Sequence, residues 1–141
     1  MWLAREARVE MAAETPPTIP SDAENGALER YVDQRLFGET VDSLEAHVQR
    51  KKALADPVRY SILYLLYERE RLPRTQLVSA TGLDANGLHH HLRALLEANL
   101  LAKAPTPDGA DGRITYYRIT SLGVDEIESD VATITGESPH A

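Results

Sequence analysis

Between residues 75 and 100 the chain reads TQLVSATGLDANGLHHHLRALLEANL, and its apolar positions fall into two helical sets broken by a turn. Leu77, Val78 and Ala80 belong to the first set. Gly82 stands where a helix stops and the backbone takes a positive φ. Leu83, apolar inside the turn, is placed to plug the space between the two helices. Asp84 is a good N-cap for the second helix, since its carboxylate accepts from the free N–H groups of the first turn. Leu88, Leu92, Leu95 and Leu96 then recur at helical spacing and form one stripe to bury. The outward positions are Ala85, Asn86, His89, His90 and Arg93, small, polar or basic, with acid only at the two ends, Asp84 and Glu97. A face of that kind suits the major groove of DNA. The same pattern also describes a plain pair of packed helices, which many all-α proteins contain.

Upstream, residues 23–37 space Leu28, Tyr31, Val32 and Leu36 as an amphipathic helix that Gly38 ends. Thr40 is expected to cap a second helix, with Val41, Leu44 and Val48 inward and His47 near its face. That helix runs through Arg50, Lys51 and Lys52 to Ala55. These three cations either hold DNA phosphates or complement the dipole of a solvated last turn. Asp56-Pro57 is an N-cap followed by Pro at the first helical position. Val58, Ile62, Leu63, Leu65 and Leu66 follow, with Tyr60, Tyr64 and Tyr67 alongside, and predict the central core helix. Leu72, Pro73 and Arg74 lead into the helix-turn-helix, where Arg74 and Thr75 are placed to meet the DNA backbone.

After Leu100 the period changes. Residues 101–104 and 113–119 read as two short strands, the second alternating and rich in β-branched and aromatic residues. The turn formers PTPDGADG join them. A β-hairpin directly after a helix-turn-helix is a wing. Lys103 and Arg113 are placed to reach a phosphate or the minor groove; for Arg113 an exposed strand-end charge is an equal reading. Asp108 and Asp111 argue against deep insertion of the loop. Thr120 or Ser121 caps a last helix to about Ile134, apolar at Leu122, Val124, Ile127, Val131 and Ile134 and acidic at Asp125, Glu126, Glu128 and Asp130. An apolar stripe with no later element to cover it predicts a dimer interface of Leu28, Tyr31, Val32, Leu36, Leu122, Ile127, Val131 and Ile134; packing on its own domain is the alternative. The fold class expected is mainly α with a two-stranded β wing, a winged helix-turn-helix dimerising through terminal helices. Residues 1–22, with Trp2 and the Pro16, Pro17 and Pro20 breaks, are expected as a flexible tail in which Met11 is an alternative start. Residues 23–135 form the domain with its flanking helices, and 136–141 a frayed end.

Composition changes this picture in three ways. No cysteine is present, so disulfides, thiolate metal sites and thiol redox sensing are excluded. No apolar run approaches the ~20 residues that span a bilayer, and a cytoplasmic protein is the expectation. The net charge of −7 is unevenly placed: residues 47–118 hold eleven Lys/Arg against seven Asp/Glu, while the rest hold four against fifteen. The acid lies at the ends and the middle is mildly basic. Three of the fifteen basic residues are Lys, and acid excess with scarce Lys resembles proteins of salt-loving organisms; an ordinary acidic protein from an Arg-biased genome is the alternative. His89, His90 and His91 invite a metal reading, but adjacent helical residues point about 100° apart and cannot converge on one ion. The expectation is His91 packed beneath the helix, His89 and His90 toward DNA, no metal and no cofactor. No nucleophile elbow, phosphate loop or His-Glu-x-x-His motif suggests an enzyme.

The order of elements is that of winged-helix regulators, and three segments sharpen it. ALADPVRYSIL (53–63) resembles the ArsR-type segment L-x-D-P-x-R-x-x-I-L; GLDANGLHHHLRAL (82–95) resembles that family's recognition segment; RITYYRIT (113–120) resembles its second wing strand, followed by a glycine as at Gly123. PadR- and MarR-type regulators share the architecture. With its acidic ends the whole chain resembles haloarchaeal regulators of this type, some of which act in the oxidative-stress response. The resemblance implies a homodimeric transcriptional regulator on an inverted-repeat operator, with double-stranded DNA and a second copy of itself as partners. Asn86, Gly87, His89, His90 and Arg93 would then face the groove, and the family's usual metal sensing through cysteine is put in doubt. An acidic protein on DNA is expected to release few counterions and to take up cations that bridge carboxylates to phosphates. The alternative function is a winged helix used for protein docking, which predicts an apolar outer face on the second helix.

Overall fold

The computed structural model describes residues 19–20 and 25–137. The expectations placed on Trp2, Met11, most of the N-terminal tail and the last four residues lie outside the described residues. The chain divides into two compact units, Met1–Leu44 and Glu45–Ala141.

In the first unit, α1 (Ala27–Phe37) starts after Gly26 and ends at Gly38. Thr40 does not cap a helix. Its hydroxyl donates to Phe37 O at 3.1 Å and accepts from Asp42 N at 3.2 Å, closing the turn after α1. The next helix, α2 (Leu44–Leu54), whose first residue closes this unit, begins three residues later than expected, where Asp33 Oδ1 accepts from Leu44 N at 2.8 Å. Val41, expected inward, is therefore outside the helix and fully exposed.

The second unit holds the core. Asp56 accepts from Val58 N and Arg59 N at 2.9 and 3.0 Å, with Pro57 at the first position, to open α3 (Pro57–Glu68). Those two N–H groups hold the Asp56 carboxyl below the ordinary Asp range, the bond from Arg59 N contributing most. Ile62, Leu63 and Leu66 of α3 are buried at its centre. A two-residue strand, β1 (Leu72–Pro73), precedes α4 (Arg74–Thr81). Gly82 has φ 70° and turns the chain into α5 (Ala85–Glu97), capped by Asp84. After α5, Asn99 takes φ 59°. Leu100 N then donates to Leu95 O and Asn99 N to Leu96 O, a paired closure of the helix end that swings the chain into β2 (Leu101–Ala104).

The sheet has three strands, not the two expected of the wing. Its order is β1, β3 (Tyr116–Ile119), β2, all antiparallel, with Leu72 opposite Tyr117 on one side and Lys103 opposite Tyr117 on the other. Strand β3 is shorter than the alternation suggests, because the chain from Asp111 to Ile114 turns instead (Ile114 N donates to Asp111 O). Leu72, Leu77, Leu88, Leu92, Leu95, Leu100, Leu101, Tyr117 and Ile127 close on α3 as one buried cluster, with Leu83 packed against it from the turn.

Thr120 caps α6 (Ser121–Thr135) by accepting from Gly123 N at 3.1 Å. The acidic side of α6 is largely turned onto its own unit. Glu126 is buried, accepts from Lys51 Nζ at 2.6 Å and lies 3.9 Å from Arg50 Nε. Tyr60 donates to Asp130 at 2.8 Å and Tyr67 to Glu128 at 3.2 Å. Burial, and then the Asp130 contact, push the Tyr60 phenol up to about 12. Among the described residues no helix is long and apolar enough to cross a membrane.

Candidate nucleic-acid interface

The surface of interest is the side of α5 opposite its buried leucines. Leu88, Leu92 and Leu95 pin the helix to the core, and this fixes which residues look outward. Asp84 Oδ1 accepts from Gly87 N at 2.7 Å and squares off the first turn. Gly87 is half-buried there: a Cβ would stand 3.2 Å from that oxygen and 3.6 Å from Leu83 Cβ, so glycine keeps the turn close to the helix. Asn86, His89, His90 and Arg93 are exposed along one side. His89, His90 and Arg93 also line a shallow open depression of about 440 Å³, together with Arg59, Ala94 and Glu97.

Arg59 is not singled out by the sequence reading. Its Nε donates to Ala53 O at 2.7 Å, fixing the guanidinium across the α2–α3 turn, and its Nη1 lies 3.5 Å from His91 Nδ1. His91 Nδ1 is also 3.9 Å from Asp56 Oδ1, so His91 faces inward between α3 and α5 as expected. The signal in the sequence is Arg59 itself, three residues after the capping Asp56 and so above it on the first turn of α3. The cap in the D-P-x-R motif is its more obvious content, and it hides the arginine.

The remaining cations are placed differently from one another. Arg74 is half-buried and its Nη2 donates to Ala85 O at 3.2 Å, bridging α4 to the start of α5. Thr75 and Lys103 are exposed. Arg113 is on the loop before β3, 91% exposed, and grips Asp111 through Nε at 3.1 Å and Nη2 at 2.9 Å. That contact lowers the Asp111 carboxyl and raises the Arg113 guanidinium from their ordinary values. Lys52 is exposed, and so is Lys51, though its ammonium is committed to Glu126. Arg50 must be withdrawn from the DNA-backbone set: it is 5% exposed and turned in beside Glu126.

Of the residues expected at a dimer contact, Leu28, Leu36 and Ile134 are exposed, and Tyr31, Val32, Leu122 and Val131 are half-buried. Ile127 is fully buried in the core of its own chain and presents no outer surface.

Comparison with known proteins agrees with this geometry. Residues 54–104 match a family model described as a helix-turn-helix domain. The chain is 31% identical over 87 residues to the arsenical resistance operon repressor of Bacillus subtilis, a stretch covering 62% of this chain and 78% of that protein. It is 30% identical over 71 residues to YdgJ, an uncharacterised HTH-type transcriptional regulator of the same organism, covering 50% of this chain but only 42% of that protein's length. Among solved structures, it resembles a homodimeric winged helix-turn-helix DNA-binding domain from Mycobacterium bovis, a possible ArsR-family transcriptional regulator. The TM-score is 0.54 at 26% identity, over 67% of this chain and 82% of that one. By fold, by the capped helix pair and by these relatives, the chain belongs to the ArsR family of winged helix-turn-helix, DNA-binding transcriptional regulators.

Proposed function

We propose that the protein binds an inverted-repeat operator as a homodimer, with α5 in the major groove and the β2–β3 hairpin beside the minor groove. The observation that carries this reading is the outward side of α5. Asn86, His89, His90 and Arg93 are exposed, hydrogen-bonding and without a large apolar side chain, on a helix whose opposite side is locked into the core. Asn and Arg are the side chains that read adenine and guanine edges in pairs of bonds, and neutral His donates and accepts without a strong field. Lys52, Arg74, Thr75, Lys103 and Arg113 serve the backbone or the minor groove in this reading. The protein-docking alternative needs apolar residues at the same outward positions, which the α5 side lacks.

The second copy docks through α1 and α6, where Leu28, Leu36 and Ile134 stand exposed at 60%, 56% and 79%. The homodimeric neighbour from Mycobacterium bovis supports a second copy as partner, and the exposed apolar residues of α1 and α6 are what support these two helices as its seat. Acid excess with scarce Lys supports a salt-loving, archaeal setting, in which cations join carboxylates to phosphates at the interface. The resemblance of the whole chain to haloarchaeal regulators is what supports a role in the oxidative-stress response; with no cysteine, the signal is not read by a thiol.

The experiment is selection of bound sequences from random duplex DNA in concentrated KCl. The expected product is a palindrome with half-sites about one helical turn apart. Arg93→Ala is expected to weaken binding to it by at least tenfold, about 1.4 kcal/mol, within the range of one good base contact. A protein that enriches no sequence refutes the operator reading and favours the docking module.

A further inference from the structure

Two of the arginines that the proposed reading sets against DNA, Arg93 and Arg113, already hold a carboxylate. Arg93 Nε donates to Glu97 Oε1 at 2.9 Å, one turn further along α5. Arg113 binds Asp111 with two guanidinium nitrogens, and its own backbone N–H donates to the same carboxylate at 3.0 Å. The side chains of these pairs are 68% and 57%, and 91% and 42%, exposed. Ion pairs that open to water contribute little to folding, so their placement is not explained by stability. A carboxylate offers a guanidinium the same acceptor oxygens as a phosphate does. Glu97 and Asp111 thus occupy the N–H groups that DNA would take.

We propose that Glu97 and Asp111 are internal phosphate mimics that hold down sequence-independent DNA affinity by competing for Arg93 and Arg113. The inference rests on the DNA-binding reading above. An encounter with arbitrary duplex must displace each carboxylate before a phosphate can take its place, a near-even exchange. The Glu97 competition falls on Arg93 at an operator too, but an operator adds base contacts from Asn86, His89 and His90, which among the described residues make no ion pair with a carboxylate, so the relative cost is greatest on arbitrary duplex. The device differs from a general acidic surface because it acts through two named pairs. A carboxylate of equal charge that holds no arginine lacks the effect. Asp108 in the same loop is such a residue, since among the described residues it makes no ion pair with an arginine.

The test uses the full chain and a random-sequence duplex, titrated by fluorescence anisotropy across a series of KCl concentrations. Glu97→Gln and Asp111→Asn are compared with wild type and with Asp108→Asn. Each latch variant is expected to bind arbitrary duplex about two- to fivefold more tightly, and the pair together about tenfold, with a urea midpoint unchanged. The salt slope of the double variant steepens, by up to about 0.9 for each additional phosphate neutralised. The Asp108→Asn control shifts affinity by less than half as much on a logarithmic scale. If Glu97→Gln and Asp111→Asn match the control, the latch is refuted while DNA binding stands. If wild type binds neither arbitrary duplex nor any selected sequence, the DNA reading fails and takes this inference with it.

Discussion

Gly123→Ala is the substitution with the sharpest structural forecast. Gly123 is buried in the first turn of α6, and a Cβ built there would lie 2.6 Å from Leu100 O and 2.7 Å from Ile119 Cγ1. Ordinary contacts begin at 3.4 Å, so both distances fall short by about 0.7 to 0.8 Å. Neither neighbour yields easily. Leu100 O is fixed by the N–H of Thr120 at 3.0 Å, and Ile119 is paired with Leu101 in the sheet. Relief therefore requires α6 to lift, which loosens Ile127 in the core and strains the Glu126, Glu128 and Asp130 contacts. Overpacking of this kind costs about 1–3 kcal/mol, while alanine returns up to about 1 kcal/mol of helix propensity. The net loss expected is about 1–2 kcal/mol, or roughly 3–8 °C in Tm for a chain of this size. Urea unfolding followed by circular dichroism reads it as a lower midpoint at constant slope. Gly112→Ala, where a Cβ meets nothing within 4 Å, serves as the near-neutral comparison. A Gly123→Ala protein as stable as wild type would refute the packing argument.

Three further outcomes follow from the site and its supports. Tyr60 is raised from 10.0 to about 12 by burial and by Asp130. The phenol's stabilising share is complete below pH 10 and is lost as pH rises through 12, on the order of 2 kcal/mol. Tyr60→Phe is therefore expected to flatten the alkaline limb of a stability–pH profile, and an unchanged limb would discount the contact. Asp56 is depressed by its cap bonds, so its contribution is present above the ordinary Asp value and fades as pH falls through its lowered one. Asp56→Asn should remove part of the acid limb in the same profile, and an identical acid limb counts against the cap. Finally, operator affinity is expected to fall only shallowly between moderate and high KCl; a loss of ~10³ or more, as for a protein neutralising many phosphates, would contradict it.

What can be read from the sequence is what neighbouring residues decide among themselves. Asp56, Gly82, Asp84 and Thr120 act within three or four positions of where they stand, and each terminates or caps its helix as read. The α5 stripe is equally legible, because one side of a regular helix is set by spacing alone. Two misses are local, the turn that Thr40 closes instead of a cap and the turn at Asp111 that shortens β3; the others are agreements between distant parts. Leu72–Pro73 is a strand only because β3 lies beside it. Arg50 and Glu126 are far apart in the chain and buried together, so a basic run resembles a phosphate grip and an acidic face resembles a solvated one. Tyr60 and Tyr67 supply hydroxyls that let Asp130 and Glu128 turn inward, which no periodicity reveals. Arg59 is visible in the sequence and is held locally by Ala53 O, but it meets His89, His90 and Arg93 only when α5 is laid against α3.

The short strand β1 has a mechanical consequence. Because β3 is clamped on both flanks, by β1 at the root of α4 and by β2 leaving α5, the base of the hairpin shares one rigid frame with the helix pair. Pro105 O accepts from Arg71 Nη1 at 3.3 Å and Thr115 O from Arg74 N at 2.8 Å, so the mount reaches to those two residues and the residues between them form the beam. Bending such a beam moves its tip without tilting its mount. In the proposed DNA-binding reading, a hairpin mounted this way would meet a wider or narrower groove at its tip, and the aim of α5 would be set separately by the frame.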